Sequence, residues 1–243
     1  MLSYLPLAHV VERVLVAPGW LRTGMHVFFA DSLDTFTTDM QRARPTIFFS
    51  VPRLWVKFQQ AIQHKMPEHK LQRLLGLPLI GGLVRRKIQK TLGLDQARIC
   101  AGGAAPMPLA LLQSYSKLGI SINEGHGMTE NLAVSHITVP GKNQQGSVGP
   151  AYEGVQDRID PESGEIQMKS PAVMQGYYKA PEQTRDAFTA DGWLRTGDKG
   201  RIDSDKCLHI TGRVKDLFKT GKGKYVAPAP IEDKLGGHEA VEA

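Results

Sequence analysis

The chain has 243 residues, and its 30 Lys plus Arg exceed its 24 Asp plus Glu to give a formal net charge of +6. Hydrophobic residues make up 41% and charged residues 22%, a balance that excludes a collagen-like, coiled-coil or wholly disordered chain. The two cysteines, Cys100 and Cys207, stand far apart and indicate neither a disulfide framework nor a cysteine zinc cluster. The amino terminus lacks the features of a secretory signal, so we expect a cytoplasmic protein.

The first half of the chain alternates short apolar runs with amphipathic ones. Residues 26–30 and 46–50 are predicted to be buried strands, and a helix is predicted over residues 52–64 with a proline in its first turn. This helix carries apolar side chains at helical spacing, namely Leu54, Trp55, Phe58 and Ile62. Such spacing is typical of a buried face rather than of a platform that stacks bases, so no nucleic-acid partner is predicted.

Positive charge is concentrated in residues 53–90, where nine basic residues and one acidic residue give +8 and leave the rest of the chain at −2. The apolar run at 74–84 has about half of the ~20 residues that a membrane-spanning helix needs. Pro78, Gly81 and Gly82 are expected to break such a helix. Two interpretations stay open: a solvated basic face on a helical insertion, or a surface that meets anionic lipid or a polyphosphate, with peripheral membrane contact in the lipid case.

The next predicted unit is a strand, a helix and a second strand. The first strand covers residues 98–101 and is followed by a Gly/Ala turn at 102–106. The helix over 107–118 ends at Gly119, and the second strand begins at Ile120. One stripe of the helix is apolar and consists of Met107, Leu111, Leu112, Tyr115 and Leu118. This order predicts a crossover between parallel strands.

From about residue 146 the apolar period changes to two residues. Segments 165–170 and 173–178 are predicted strands, and a hairpin is predicted around 203–205. The predicted fold class is therefore α/β, with a parallel-sheet α/β layer followed by an antiparallel β-rich subdomain.

Two loops are expected to leave parallel strands at one edge of the sheet, where ligands bind in open α/β folds. Residues 102–105 have almost no side-chain bulk and admit a flat ring or a phosphate close to the backbone. Residues 124–130 combine glycines with a hydroxyl, a carboxylate and an imidazole, which suit a phosphate, a divalent cation and an aromatic base. Each loop alone also fits a tight structural turn, but their joint placement favours a nucleotide site.

Two further clusters are DGWLRTGDKG at 191–200 and ITGRVKD at 210–216. Together with LPLAHVVER at 5–13 and the two loops, in this order and spacing, they resemble the adenylate-forming enzymes, and most closely the bacterial long-chain fatty acyl-CoA synthetases. The resemblance covers nearly the whole chain. It implies an AMP-forming, long-chain fatty acid–CoA ligase with ATP or AMP, Mg²⁺ and CoA as cofactors and co-substrates.

The resemblance also implies a domain organisation. Residues 1–145 would be the second half of the large adenylation domain, and 146–215 its β-rich subdomain. Residues 216–243 would be the hinge, at Asp216, and the truncated start of a small C-terminal domain, in which Lys219 is a candidate catalytic residue.

The adenine is expected to lie along the small residues Gly103, Ala104 and Ala105. His126 would stack on it, in a place where the family usually has a tyrosine. The other members of the expected nucleotide-binding set are Glu124, Gly125, Gly127, Met128 and Ile210.

The phosphates and the ribose are assigned polar partners by the same resemblance. Thr129 would bond the α-phosphate and Glu130 would hold Mg²⁺. Asp198 would take both ribose hydroxyls, and Arg213 would reach the ribose and phosphate. The plainer interpretations are a turn residue for Asp198, a surface ion pair for Arg213 and a helix cap or loop charge for Asp216.

Two parts of the family pattern are not found in the chain: the phosphate-gripping loop before LPLAH and the lysine of the small domain. We therefore expect an internal fragment that binds nucleotide and has weak or no complete activity. The alternatives are a non-catalytic nucleotide- or lipid-binding remnant and an adenylating enzyme with a different acceptor. Acyl chain length, acceptor identity and oligomeric state are not indicated by the sequence.

Overall fold

A computed structural model divides the chain into two compact units, Met1–Asn123 and Glu124–Ala243. It describes residues 1–215 apart from 106, 143 and 145, together with residues 218–219, 225–226 and 231. The fold is α/β, with parallel strand pairs and an antiparallel sheet, as predicted. The finer domain boundaries after residues 145 and 215 stay predictions.

The first unit is built from short strands and helices. In chain order its elements are β1 (Leu2–Ser3), α1 (Val10–Val16), α2 (Pro18–Thr23), β2 (Phe28–Phe29), α3 (Phe36–Ala43), β3 (Ile47–Ser50), α4 (Pro52–Lys65), α5 (Glu68–Leu75), α6 (Ile80–Leu92), β4 (Ile99–Gly102) and α7 (Leu109–Lys117). Strand β5 (Ile122–His126) then crosses the boundary into the second unit.

Strands β3 and β4 form a parallel pair with Ile47 opposite Ile99 and Ser50 opposite Gly102. The predicted strand at 46–50 and the predicted helix at 52–64 are thus confirmed. The predicted buried strand at 26–30 is wrong in length and burial: only Phe28 and Phe29 form a strand, and their side chains are exposed. Strand β2 pairs with the two-residue β1, and Phe28 and Phe29 are 46% and 67% exposed.

An aromatic cluster occupies the core of the first unit. Trp55 on α4 lies 5.3 Å from Phe48 on β3 and 5.0 Å from Tyr115 on α7, measured between ring centroids. The Tyr115 hydroxyl donates to the Trp55 carbonyl at 2.6 Å, and burial raises the pKa of Tyr115. Both predicted apolar helix faces therefore pack inward, since Phe58 and the α7 stripe are buried as well.

Helices α5 and α6 are separated by the turn around Pro78, as the proline predicts. Gly81 and Gly82, in contrast, do not break the helix but lie inside the first turn of α6. A Cβ on Gly81 would lie 2.4 Å from the Leu75 carbonyl oxygen. Glycine is therefore needed here for the close approach of α5 to α6, and tertiary contact outweighs its low helix propensity.

The second unit is mainly antiparallel. Its elements after β5 are β6 (His136–Ile137), β7 (Gln156–Ile159), β8 (Glu165–Lys169), α8 (Pro181–Asp186), β9 (Leu194–Ile202), β10 (Leu208–Arg213), β11 (Phe218–Lys219) and β12 (Tyr225–Val226). The main sheet has the order β10-β9-β8-β7. Ile166, Met168 and Leu208 form its core.

The predicted strand at 165–170 and the hairpin around 203–205 are confirmed by β8 and the β9–β10 pair. The predicted strand at 173–178 is wrong, because these residues form bends and irregular backbone. Their backbone groups bond elsewhere: the Met174 N–H donates to the Glu130 carbonyl at 2.7 Å and the Tyr177 N–H to Thr184 Oγ1 at 2.9 Å. Across the described part of the chain, no helix has the length and apolar character needed to cross a bilayer.

Candidate functional site

Strand β5 supplies the first part of the site in the second unit. Glu124, Gly125 and His126 lie within this strand rather than in the predicted loop, because they pair with β6 and the residue after it. The Glu124 N–H donates to Thr138 Oγ1, and its carbonyl accepts from the Thr138 N–H, both at 2.9 Å. The strand thereby fixes the direction in which the His126 ring leaves the backbone.

A tight turn follows β5. A Cβ on Gly127 would lie 2.5 Å from backbone atoms of Ala133, so only glycine fits there. The Met128 N–H donates to Asn131 Oδ1 at 2.9 Å, at the start of a short 3-10 helix over Thr129–Asn131. Asn131 is buried, and Thr129 on the same turn is exposed. The turn thus holds its hydroxyl-bearing residue toward solvent.

Glu130 presents a carboxylate on the same turn. Its Oε1 accepts a 2.7 Å hydrogen bond from the Tyr177 hydroxyl, and its backbone carbonyl accepts from Met174. This hydrogen bond, with burial adding to it, raises the pKa of Tyr177. Two contacts from residues 174–177 therefore restrain Glu130, and its other carboxylate oxygen, Oε2, does not take part in the Tyr177 bond.

Asp198 and Arg213 lie opposite each other on β9 and β10. A β-bulge between Ile210 and Gly212 adds one residue to β10 and brings Arg213 into this register. Arg213 Nε is 3.3 Å from Asp198 Oδ1, with the arginine side chain 68% exposed and the aspartate 15%. The cation therefore reaches a largely enclosed carboxylate from the solvent side.

His126 meets the same carboxylate from the other side. Its Nε2 lies 2.9 Å from Asp198 Oδ2, across 72 positions of chain. The structure thus brings together the turn after β5 and the 191–200 cluster, which the sequence places far apart. Each carboxylate oxygen has a second lone pair, so Asp198 can bond a ligand hydroxyl while it keeps these partners.

A buried hydrogen-bonded chain continues from His126. Its Nδ1 lies 3.3 Å from Ser135 Oγ, which is also 2.6 Å from Nδ1 of His136. Nε2 of His136 is 3.4 Å from Asp157 Oδ2, but it forms no hydrogen bond with any residue that the structure describes. Ser135 and His136 are fully enclosed. We call this series of contacts from Asp198 to Asp157 the histidine chain, and it fixes the orientation of the His126 ring.

The remaining predicted residues are distributed as follows. Gly103, Ala104 and Ala105 belong to the first unit, where they follow β4; Gly103 is buried, and the two alanines are exposed. Ile210 packs against the core of the second unit. For Lys219 the structure gives only its backbone in β11, and Asp216 lies outside the described residues. The roles of these residues stay predictions.

Three members of the site in the second unit were not predicted from the sequence: Ser135, His136 and Tyr177. The signal available in the sequence was the pair of histidines, His126 and His136, on either side of one turn. The β5–β6 pairing sets these two residues opposite each other. Tyr177 was placed in a strand instead, so its hydroxyl contact with Glu130 could not be anticipated.

Chemically, the site in the second unit combines a hydroxyl, two carboxylates, an imidazole and a guanidinium. No cluster of three potential metal-ligating side chains occurs in the portion that the structure describes. Glu130 nevertheless fits Mg²⁺, which binds through one or two carboxylates plus substrate phosphates rather than in an all-protein cage. The set therefore suits a ribose phosphate with a divalent cation.

Comparison with known proteins agrees with this chemistry. The profile of a family described as AMP-binding enzyme matches residues 1–178. Long-chain-fatty-acid–CoA ligase ACSBG2 of Gallus gallus is 32% identical over 269 residues, covering 97% of this chain and 35% of that protein. Long-chain-fatty-acid–CoA ligase 5 of Rattus norvegicus is 34% identical over 260 residues, covering 96% and 38%.

A solved structure supports the fold. The A domain of carboxylic acid reductase from Segniliparus rugosus, in complex with AMP and a co-purified carboxylic acid, matches with a TM-score of 0.76 and 26% identity, over 97% of this chain and 38% of that chain. The chain thus spans little more than a third of the length of these relatives. The match to residues 1–178, the two ligase relatives and the shared fold confirm the resemblance seen in the sequence, and the chain belongs to the AMP-binding enzyme family.

Proposed function

We propose that the chain forms the AMP-binding part of a long-chain fatty acid–CoA ligase. The proposed substrates are a fatty acid, ATP and CoA. The relatives named as long-chain-fatty-acid–CoA ligases support the substrate class, and the polar site in the second unit supports the nucleotide. Peripheral membrane contact through residues 53–90 is part of the proposal.

The observation that carries the proposal is the convergence of His126 and Arg213 on Asp198. In the proposed complex Asp198 accepts hydrogen bonds from the ribose hydroxyls, and Arg213 follows the ligand toward the phosphate. Charge-assisted hydrogen bonds of this kind contribute about 1.5–3 kcal/mol each. Because the histidine chain holds the His126 ring, the carboxylate is oriented before the ligand arrives.

The proposed reaction has two steps. The fatty carboxylate attacks the α-phosphorus of ATP and expels pyrophosphate, and the CoA thiolate then displaces AMP from the acyl adenylate. Thr129, exposed at the turn, donates its hydroxyl to the α-phosphate as charge develops there. Glu130 would hold Mg²⁺, which supplies charge neutralisation on the phosphates. Tyr177 keeps the Glu130 side chain directed for that role.

Calorimetry with AMP and with a nonhydrolysable acyl-adenylate analogue tests the nucleotide site. Asp198→Ala removes the carboxylate that would hold the ribose, and we expect it to weaken binding of both ligands by more than tenfold. Retention of wild-type affinity by this variant would contradict the proposed site.

The second unit offers a matched control for this experiment. Asp203 also bonds a histidine, with its Oδ2 2.7 Å from His209 Nε2, at the far end of the β9–β10 hairpin. Asp203→Ala should leave the affinity for AMP within about twofold of wild type, since it removes a similar carboxylate–histidine contact outside the site. An equal loss in both variants would point to general damage to the hairpin instead.

A further inference from the structure

The turn between α5 and α6 exposes an unusual number of large apolar side chains. Leu79 is 90% exposed, Leu83 70%, Ile80 45% and Leu77 41%. They surround the break at Pro78 and continue onto the first turns of α6. We call these four residues the apolar tip. Exposed apolar clusters of this kind commonly mark a surface that contacts another protein or a membrane.

The backbone at the centre of the apolar tip is strained. Leu79 has φ 64° and ψ −48°, and the Ile80 N–H donates to the Pro78 carbonyl at 2.7 Å, which closes a γ-turn. For a residue other than glycine such a conformation is energetically unfavourable. Burial of the Leu79 side chain offsets little of this backbone strain, because the side chain is almost wholly exposed.

Exposed cations lie directly beside the apolar tip. Arg86, Lys87 and Lys90 follow Leu83 by three, four and seven positions, so they share one face of α6 with it. Lys70 and Arg73 are exposed on α5. Among the described residues none of these five cations forms an ion pair with a carboxylate, and residues 69–94 contain no Asp or Glu.

Arg85 on the same helix has a structural role instead. Its Nε donates to the Lys117 carbonyl at 2.9 Å, and it is half-buried. Arg86 and Lys87 next to it stay in solvent. The basic face is therefore separate from the interaction that fixes α6 on the first unit.

We propose that the apolar tip and the basic face of α6 dock on an anionic phospholipid bilayer, with Leu79 and Leu83 entering the headgroup and acyl boundary. Charge complementarity selects this occupant: the cations flank the apolar residues without any carboxylate, as an anionic headgroup layer requires. A polyphosphate would engage the cations but would leave the leucines in water. This inference specifies which residues make the membrane contact of the proposed ligase. It rests on the proposed function only for the reason why the protein would bind a membrane.

Cosedimentation with vesicles tests the docking surface. The 243-residue chain is mixed with vesicles of phosphatidylglycerol and phosphatidylcholine, or of phosphatidylcholine alone, without nucleotide. We expect binding to the anionic vesicles that weakens with NaCl, and much weaker binding to the neutral ones. Arg86→Gln with Lys87→Gln should reduce the affinity by about fivefold for each cation. Leu79→Ser with Leu83→Ser should reduce it at least tenfold while the charge is unchanged.

Matched controls come from other exposed residues of the first and second units. Leu33 is 86% exposed outside the apolar tip, and the Arg185 side chain is 76% exposed on α8. Leu33→Ser and Arg185→Gln should leave vesicle binding within about twofold of wild type. Leu79→Gly adds a separate test, because it relieves the backbone strain: the free energy of unfolding should rise while vesicle binding falls.

Three results would overturn the proposal. One is equal binding to neutral and anionic vesicles, and another is an apolar-tip variant that binds as well as Leu33→Ser. The third is self-association in gel filtration that the Leu79 and Leu83 substitutions abolish, which would make a second copy the occupant. AMP calorimetry on the same variants keeps the two proposals separate, since vesicle binding can fail while the affinity for AMP stays unchanged.

Discussion

Gly127 lies where an added methyl group meets main chain rather than a movable side chain. The Ala133 backbone, 2.5 Å from the position of a Cβ, cannot yield without shifting the 3-10 turn that carries Thr129 and Glu130. We expect Gly127→Ala to lower the free energy of unfolding by about 1–3 kcal/mol in urea denaturation. AMP affinity should fall as well, because the turn moves.

Gly82 provides the opposite case for the same substitution. It lies inside α6 with open space around its Cβ position, so Gly82→Ala should stabilise the protein by about 1 kcal/mol. If both variants changed stability in the same direction, the assignment of Gly127 as a close-approach glycine would be wrong. The sequence shows the two glycines alike, and only the fold distinguishes a required one from a replaceable one.

His126 illustrates how much of a residue's role the sequence can indicate. Its residue type and position predicted a place in the nucleotide site, and the structure sets its ring against Asp198. Its role toward a nucleotide stays a prediction. Its partner Ser135 was not foreseen, because a serine in a bend next to a short strand has many ordinary explanations. Hydrogen bonding through both ring nitrogens becomes visible only when the strand pairing is known.

Ser135 connects two histidine rings within the β5–β6 pair. Ser135→Ala leaves Nδ1 of the buried His136 without its 2.6 Å partner, so we expect the free energy of unfolding to fall by about 1–3 kcal/mol. Ser121 is exposed just before β5, and Ser121→Ala should change stability by less than about 0.5 kcal/mol. A loss no greater than that of the control would show that the histidine chain contributes little.

Helix α1 carries a buried carboxylate that makes stability depend on pH. Glu12 is 2% exposed, and burial raises its pKa above the ordinary 4.5, although its Oε1 accepts from the Tyr4 N–H at 3.1 Å. The folded state therefore binds more protons than the unfolded state above pH 4.5. The contribution of Glu12 to stability should be greatest below pH 4.5 and should fall as the pH rises through its folded pKa.

Glu12→Gln isolates this effect, because it keeps a neutral group of similar shape. The free energy of unfolding of the variant minus that of wild type should increase as the pH rises above 4.5, measured by urea denaturation at several pH values. Asp39→Asn on α3 should show the reverse dependence, since the Thr35 hydroxyl lowers the pKa of Asp39 below 3.8 and wild type loses this stabilisation as the pH falls. The same sign for both variants would contradict the assignment for Glu12.

Elements with a strong period or clear end signals were predictable, and those defined by distant partners were not. Helix α4 follows its apolar pattern, with Trp55 and Phe58 buried. Strand β8 follows the alternation of Ile166 and Met168, although the polar residues beside them are buried as well. Residues 173–178 also alternate, but their backbone groups bond Glu130 and Thr184 instead of a neighbouring strand. Alternation alone therefore could not distinguish a strand from an extended turn.

At the scale of the whole molecule, the order of elements predicted an α/β layer followed by an antiparallel one, and the structure agrees. The motifs predicted the family, since their order survives at about a third sequence identity to the relatives. The contacts that orient the site could not be predicted in the same way. The Asp198–His126 contact joins residues 72 positions apart, and its geometry depends on the sheet register rather than on local sequence.

The bulge in β10 decides which residue meets Asp198. Ile210 pairs with Gly200, and two steps along β10 then stand against one step along β9, so that Arg213 rather than Gly212 reaches the position opposite Asp198. If the two strands paired without the bulge at unchanged length, Gly212 would face Asp198 and the guanidinium would emerge on the opposite surface of the sheet, and the carboxylate would lose its cation without any change in residue type.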